Sequence, residues 1–592
     1  KNNLRQGLQR QFGWVLQNVL NYEFNLLEIH KFNVMVGQEA KRNWGYDLNG
    51  MRQSFKSTLP NMLYMSKSLD DTTNAQAIEG GGYESRMSSY FGRFSYDLKS
   101  IFLLQVNVRR DGHSDFGPNN RFGTFKSISG ALKFTEFDMF KSIEALSFGK
   151  IRISYGETGQ YARSNWPYFA KILTPTTYAY SFDNSTAIQG AGPVQLPNPD
   201  IHWETVKSTT IGLELGLFRD KLMFTVEWFN KINDGMLNLQ DVTTMAGTFQ
   251  TQSSSEGGSA KPEVNFGNVR NRGLEFAVSY KQNFGDFRTM FDLNLTYINN
   301  EITKLATDSV VQGGVHNELS GVTILKVGKP ISTFWGYRVE SIIKPTDPKV
   351  INPKNNKEIY FQVNSKGDTI LLPSAKAGDV RWKDLNNDGR IDNGDRDYLG
   401  NPNPPFIFSF SINLSYKNID FSALFNGVYG NKIFNGSGRY FYDWNTVASN
   451  RSAKFANRYR EPFTDKNGNL ILYENGTPID EGNTVNYTMP RMDANNYGRS
   501  SDIYIEDGSY LRLSNLQIGY TLPKNVTNLV NFFRVEKFRV YASVTNLFTI
   551  TNYTGFDPEV ARYDFGNPAI LGIDIGGYPR TRVFTIGANI IF

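Results

Sequence analysis

The residues best suited to chemistry lie in one stretch, DLNNDGRIDNGD (384–395). Asp384, Asn386 and Asp388 alternate, Gly389 follows, and Arg390, Asp392 and Asp395 take the seventh, ninth and twelfth places. A hard cation such as calcium takes about six to eight oxygens, which alternating carboxylates and one backbone carbonyl supply from a loop turned at a glycine. Ile391 gives the loop an apolar anchor. The expectation is a calcium ion held by Asp384, Asn386, Asp388, Asp392, Asp395 and the Arg390 carbonyl. The last place is Asp where an EF-hand has a bidentate Glu, and no flanking helix pair is legible. A calcium-stapled extracellular loop is therefore expected rather than a sensor. The competing reading is a plain turn, since Asn, Asp and Gly also form turns.

Other reactive constellations are missing. Cysteine is absent, so disulfide scaffolds, thiolate zinc sites and cysteine nucleophiles are excluded. His30, His113, His202 and His316 are scattered without metal-binding spacing and read as surface or strand residues. GETG (156–159) and EGGGY (79–83) lack the Lys-Ser/Thr that completes a phosphate loop. No Ser/His/acid or paired-carboxylate cluster is legible, and the chain reads as no enzyme. Among the loop aromatics Trp166, Tyr178, Trp203, Tyr440, Tyr442 and Trp444 are candidates for gripping a substrate, against the alternative that they pack the loops together. Aromatics at strand ends (Trp14, Tyr22, Trp228, Tyr297, Tyr416) suit interface girdles.

The elements that carry these residues read as strands. The chain has 592 residues, and 63 Lys and Arg against 57 Asp and Glu leave a charge of only +6, with no nucleic-acid footprint. Aromatic residues at 14% and 53 glycines suit an all-β chain with many turns. No apolar run reaches the roughly 18 residues of a membrane helix. Instead, apolar and polar residues alternate. In TRVFTIGANIIF (581–592), Phe584, Ile586, Ala588, Ile590 and Phe592 share one face, and Thr585, Gly587 and Asn589 the other. FDLNLTY (291–297) sets Phe291, Leu293, Leu295 and Tyr297 against Asp292, Asn294 and Thr296, and FIFSFSINLSY (406–416) does the same. Sandwich strands run about five or six residues. These run roughly nine to twelve, enough to cross a bilayer at a tilt.

Fifteen spanning strands are expected, near 13–24, 30–42, 87–97, 100–110, 124–136, 148–158, 205–218, 221–233, 265–283, 286–300, 406–417, 419–430, 508–522, 534–548 and 578–592. Short connections (96–100, 218–221, 283–286, 416–420) alternate with long ones (43–86, 159–204, 234–264, 301–405, 431–507, 549–577). One short-turn rim and one long-loop rim is the plan of an outer-membrane barrel, with the long loops extracellular. Such barrels have an even strand number, and fifteen is odd. The expectation is the C-terminal part of a larger barrel, because two open edges in lipid would leave backbone groups unpaired.

Several stretches resemble the SusC/RagA-type TonB-dependent transporters of Bacteroidota. They are YFGRFSYDLKSIFLLQVNVRRDGHSDFGPNNRFGTFKSISGAL (90–132), IRISYGETGQ (151–160), NVRNRGLEF (268–276), 379–435, IEDGSYLRLSNLQIGYTLP (505–523) and VYASVTNLFTITNYTGFDPEV (540–560). The resemblance implies a 22-stranded barrel in the cell outer membrane with an N-terminal plug. These residues would then be strands 8–22, without the plug. It also implies active import of glycans or peptides, a SusD-like lipoprotein as lid, TonB acting through the plug, and a last strand ending at Phe592 that is read by the barrel-assembly machinery. A passive porin is the alternative.

Overall fold

The computed structural model describes residues 3–56, 59, 64–67, 76–161, 166–173, 179–181, 188–240, 262–307, 309–315, 319–438, 451–523, 535–559 and 570–591. Fifteen strands form one sheet, each hydrogen-bonded to the next in chain order. They are β1 (Asn3–Leu26), β2 (His30–Gln53), β3 (Gln76–Leu98), β4 (Phe102–His113), β5 (Phe122–Lys133), β6 (Leu146–Gln160), β7 (Glu204–Leu217), β8 (Leu222–Leu239), β9 (Glu263–Phe284), β10 (Phe287–Leu305), β11 (Phe406–Tyr416), β12 (Ile419–Tyr429), β13 (Tyr510–Thr521), β14 (Lys537–Thr551) and β15 (Val583–Ile591). Each expected strand has its counterpart. Shorter strands in the connections are named by their residues. The described helices are all short, and none is long and apolar enough to cross a membrane.

The first three strands correct the expected boundaries. They are 24, 24 and 23 residues long, and β2 pairs with β3 continuously from His30↔Leu98 to Arg52↔Gln76. At about 3.4 Å per residue such a ladder far exceeds a hydrocarbon core of about 30 Å. Much of the expected loop 43–86 is therefore strand. Its polar residues, read as loop signals, decorate a ladder that needs no lipid: Arg42 Nε lies 2.9 Å from Glu84 Oε1 on the next strand.

The chain divides into two compact units, 1–144 with 148–213 and 229–268, and 145–147 with 214–228 and 269–592. In the first unit the β3–β4 turn places Lys99 and Ser100 at φ 52° and 57°. Positive φ at both positions matches the twist of a tight hairpin. Asp97 Oδ1 fixes the turn by accepting from the Ser100 N–H at 2.6 Å. Beside it Phe24, Phe32 and Tyr96 stack in a row, with centroids 4.8 and 5.0 Å apart. At the opposite strand ends Phe116, Phe125, Ile201, Trp203 and Leu237 bury one another in a small core.

In the second unit the sequence pattern becomes two faces. Leu293 lies opposite Phe410 and Leu295 opposite Phe408, so the apolar rows of β10 and β11 coincide. On the other face Asp292 accepts hydrogen bonds from Ser279 at 2.7 Å and Ser411 at 2.9 Å, linking β9, β10 and β11. One irregularity breaks the ladder of β12 with β13: Leu424 pairs with Asn515 and Phe425 with Leu513, so Ser514 is an extra residue.

The stretch 301–405, expected as one long loop, is largely folded. Ser309–Val315, Leu319–Lys326, Thr333–Gly336 and Asp397–Gly400 form a four-stranded sheet, and Lys349–Ile351, Glu358–Val363 and Thr369–Leu372 a three-stranded one. Ile343, Tyr360 and Ala377 pack with Tyr459 from the next long connection beneath them.

Candidate functional site

Two places at the long-connection side hold the residues singled out by type and spacing. The first is a cavity of about 450 Å³ in the first unit. It opens where β3, β4 and β5 outrun their expected ends, and Trp166 and Tyr168 of a long connection also line it. Glu84, Arg86 and Ser88 come from β3, His113 from the end of β4 with Ser114 just after it, and Phe122 from the start of β5 with Arg121 just before it. Glu84 receives Arg42 Nε at 2.9 Å and Arg86 Nε at 2.5 Å. These two guanidiniums hold its carboxyl below the usual range, Arg86 foremost.

His113 closes β4 beyond its expected spanning stretch, and it is buried. Tyr161 stacks on it at 4.1 Å and Trp203 meets it edge-on. Its Nδ1 accepts the Asp115 N–H at 3.2 Å, so the ring proton sits on Nε2, which faces Ser85 Oγ at 3.3 Å. Nδ1 also lies 3.4 Å from Asp115 Oδ2, an ion pair only for a protonated ring. The accepted N–H favours the neutral form. Burial, then the Lys41 charge, lowers the His113 pKa to about 4, while burial raises Asp115 to about 6.

The second place is the loop 384–395. Asp384 accepts the N–H groups of Asp388 at 3.3 Å and Gly389 at 3.1 Å, and Asn364 Nδ2 at 3.1 Å. Burial opposes its ionisation, but these hydrogen bonds hold its carboxyl below the usual range. Gly389 sits at φ 83°, a turn that disfavours any side chain. Asp395 is wholly buried and accepts the N–H groups of Leu385 and Asp392, each at 2.8 Å. Asp392 caps the short helix Asn393–Asp395 through the Gly394 N–H at 2.7 Å. Asn386 and Asp388 accept from Asp388 N–H and Arg390 N–H at 3.0 and 2.9 Å. The donors required by a calcium loop are thus held in one turn. Among the described residues, however, no three His, Asp or Glu side chains converge on a point that would hold an ion.

Of the candidate aromatics, Trp166 lines the cavity and is 40% exposed. Trp203 is 6% exposed inside the small core, with Nε1 donating to the Arg121 carbonyl at 3.2 Å, so it presents no face to a ligand. Tyr178, Tyr440, Tyr442 and Trp444 lie outside the described residues, as does Phe592. Sequence reasoning missed Arg86, His113 and Arg121. Their only signal was alternation continuing past the expected strand ends. A larger cavity of about 780 Å³ lies at the short-turn end of β1–β6, lined by polar-face residues such as Glu23, Asn33 and Gln105.

Comparison with known proteins adds the lineage. A family model described as TonB dependent receptor-like, beta-barrel matches residues 2–339, more than half of the chain. TonB-dependent receptor P39 of Formosa agariphila is 26% identical over 621 residues, covering 100% of this chain and 54% of that protein. TonB-dependent receptor SusC of Bacteroides thetaiotaomicron is 26% identical, covering 98% and 51%. The chain spans about half the length of the curated relatives it matches. The RagAB peptide importer in its closed-closed state superposes with a TM-score of 0.72 at 22% identity, covering 99% of this chain and 56% of the other, a likeness of fold. With its fifteen-stranded antiparallel sheet and this match, the chain belongs to the TonB-dependent receptor-like β-barrel family of the outer membrane.

Proposed function

We propose that this chain serves active import of glycans or peptides across the outer membrane, energised through TonB and assisted by a SusD-like surface lipoprotein. The observation that carries the reading is the family match, joined to a SusC relative and to the fold of a peptide importer. Folded long connections support it over a passive porin, because the stretch 301–405 builds sheets of its own rather than leaving a bare mouth. Uptake of labelled oligosaccharides and oligopeptides by cells with and without TonB tests it. Import should vanish without TonB or without the proton gradient, and the lipoprotein should co-purify in gentle detergent. TonB-independent uptake would establish the porin instead.

The loop 384–395 is proposed to bind one calcium ion through Asp384, Asn386, Asp388, Asp392, Asp395 and the Arg390 carbonyl. What supports it is the ligand spacing together with the buried Asp395, which already draws both ends of the loop together. Rotating Asp388 and Asp392 away from the N–H groups they cap would free their oxygens. Bound calcium would staple the hairpin carrying Asn364 to this turn.

A further inference from the structure

The cavity beneath Trp166 combines ring faces with cationic charge that no neighbour cancels. Trp166 stands at φ 53°, a left-handed backbone that a bulky residue keeps only where its surroundings hold it. The strained turn is tied on both sides: the Trp166 carbonyl accepts from Phe169 N–H and the Pro167 carbonyl from Asn198 N–H, each at 3.1 Å. The indole is left to line the cavity. Phe122, which also lines the cavity, lies against Gly112, where a Cβ would come within 2.5 Å of the ring. Both rings are more than a third exposed.

The charges around the cavity are unequal. Glu84 is its one lining carboxylate, already shared by Arg42 and Arg86. The Arg121 guanidinium is exposed and pairs with no carboxylate among the described residues. Arg110 stands 5.2 Å from the Phe122 ring. Asp111 is engaged by Arg109 at 2.7 Å, and Asp115 is buried behind the neutral His113. The surplus is positive, and guanidinium forks match planar or tetrahedral oxyanions. The strands beneath are paired with one another, Met87 with His113 and Gly112 with Phe122, so the cavity offers no free edge to a peptide main chain. It offers instead ring faces for a pyranose and the Ser88 and Ser114 hydroxyls for its oxygens.

We infer that this cavity is a subsite for an acidic saccharide, one sugar ring lying on Trp166 or Phe122 and its carboxylate or sulfate held by Arg121 and Arg86. Its volume falls in the range of small-ligand sites. The inference rests on the importer reading, of which it names the substrate class.

The test is calorimetric titration of the protein extracted whole from its membrane. The probes are a galacturonate tetrasaccharide, a sulfated galactan tetrasaccharide, neutral cellotetraose and tetraglutamate. At least one acidic saccharide should bind about tenfold or more tighter than cellotetraose, and which one does so separates carboxylate from sulfate recognition. Arg121→Gln should remove about that factor for the acidic probe and leave the neutral one unchanged. Trp166→Ala should weaken both, and Trp166→Phe, which keeps a ring, should retain most of the affinity and replaces the alanine variant if that one does not reach the membrane. Equal affinity for acidic and neutral saccharides, indifference to Arg121→Gln, or binding of tetraglutamate alone would each overturn the inference. TonB-dependent uptake, measured separately in cells, keeps the two readings apart. Import without acidic binding sinks only the subsite, and acidic binding without TonB-dependent import sinks only the importer.

Discussion

Arg539 and Asp420 meet although their strands are not neighbours: Arg539 Nε lies 2.9 Å from Asp420 Oδ1, and Nη2 binds the other oxygen. Gly519 of β13 lies between them, directly opposite Asp420. A Cβ there would sit 2.6 Å from both carboxylate oxygens, so Arg539 reaches Asp420 across β13 only because the middle strand is bare at that point.

Gly519→Val is therefore expected to force the pair apart and cost about 1–3 kcal/mol. Its readout is the temperature at which the folded electrophoretic band converts to the unfolded one. Conversion at the unaltered temperature would show that the bridge contributes nothing.

The two faces of β10 and β11 should differ in tolerance. Leu293→Arg or Phe410→Arg places a charge among lipid chains and should cost about 2–4 kcal/mol near mid-bilayer. Asn294→Arg or Ser411→Arg, on the polar face with Asp292 and Ser409, should be nearly neutral. Folding yields into lipid vesicles decide it, and equal yields from both sets would contradict the face assignment.

Asp384→Ala combined with Asp388→Ala should loosen residues 344–403 while the strands of the wide sheet stay folded. Limited proteolysis with calcium and with chelator reads this directly: the unaltered protein should be cut faster in chelator, and the variant fast in both. A pattern insensitive to chelator would leave the loop a plain turn.

The His113–Asp115 pair predicts a masked pH dependence. His113 is held neutral, so its contribution is complete above the ordinary value of 6.5 and is lost as pH falls toward about 4. Asp115 is held protonated, so its contribution is present below 3.8 and is lost as pH rises through about 6. Between about 4 and 6 the slopes oppose and stability should be flat. Asp115→Asn removes one of them, and stability should then fall on acidification from 6.5 by up to about 1.4 kcal/mol per unit. Melting curves across that range check it, and an equally flat variant would mean that His113 protonates without cost.

Strand number and facing were legible because each span must bury one row of side chains and wet the other. Leu293, Phe410 and Ile586 announce their face by parity alone. Strand ends were not legible, since Arg10, Asp47 and Glu84 continue a ladder in water that needs no apolar row. The aromatics show a second limit. Trp166 and Trp203 are alike in sequence, yet one lines a cavity and the other fills a core, because contacts from β4, β5 and β8 decide which indole is covered. The cavity joins segments scattered from 84 to 168, and no local spacing marks such an assembly. The calcium-type loop was legible as a turn because most of its hydrogen bonds lie within twelve residues or reach one adjacent hairpin.

The extra residue Ser514 has a consequence for anyone who scans β13 by mutation. Above it, Leu511 and Leu513 pair with the apolar row of β12, and below it Leu516, Ile518 and Tyr520 do. Odd numbers face the membrane on one side of the bulge and even numbers on the other. A substitution series would therefore show its sensitive positions changing phase by one at Ser514, and reading the whole strand by a single parity would assign half of it to the wrong solvent. Deleting Ser514 would remove the phase change: Leu513 and Asn515 would then follow each other opposite Phe425 and Leu424, and a single parity would describe the whole strand.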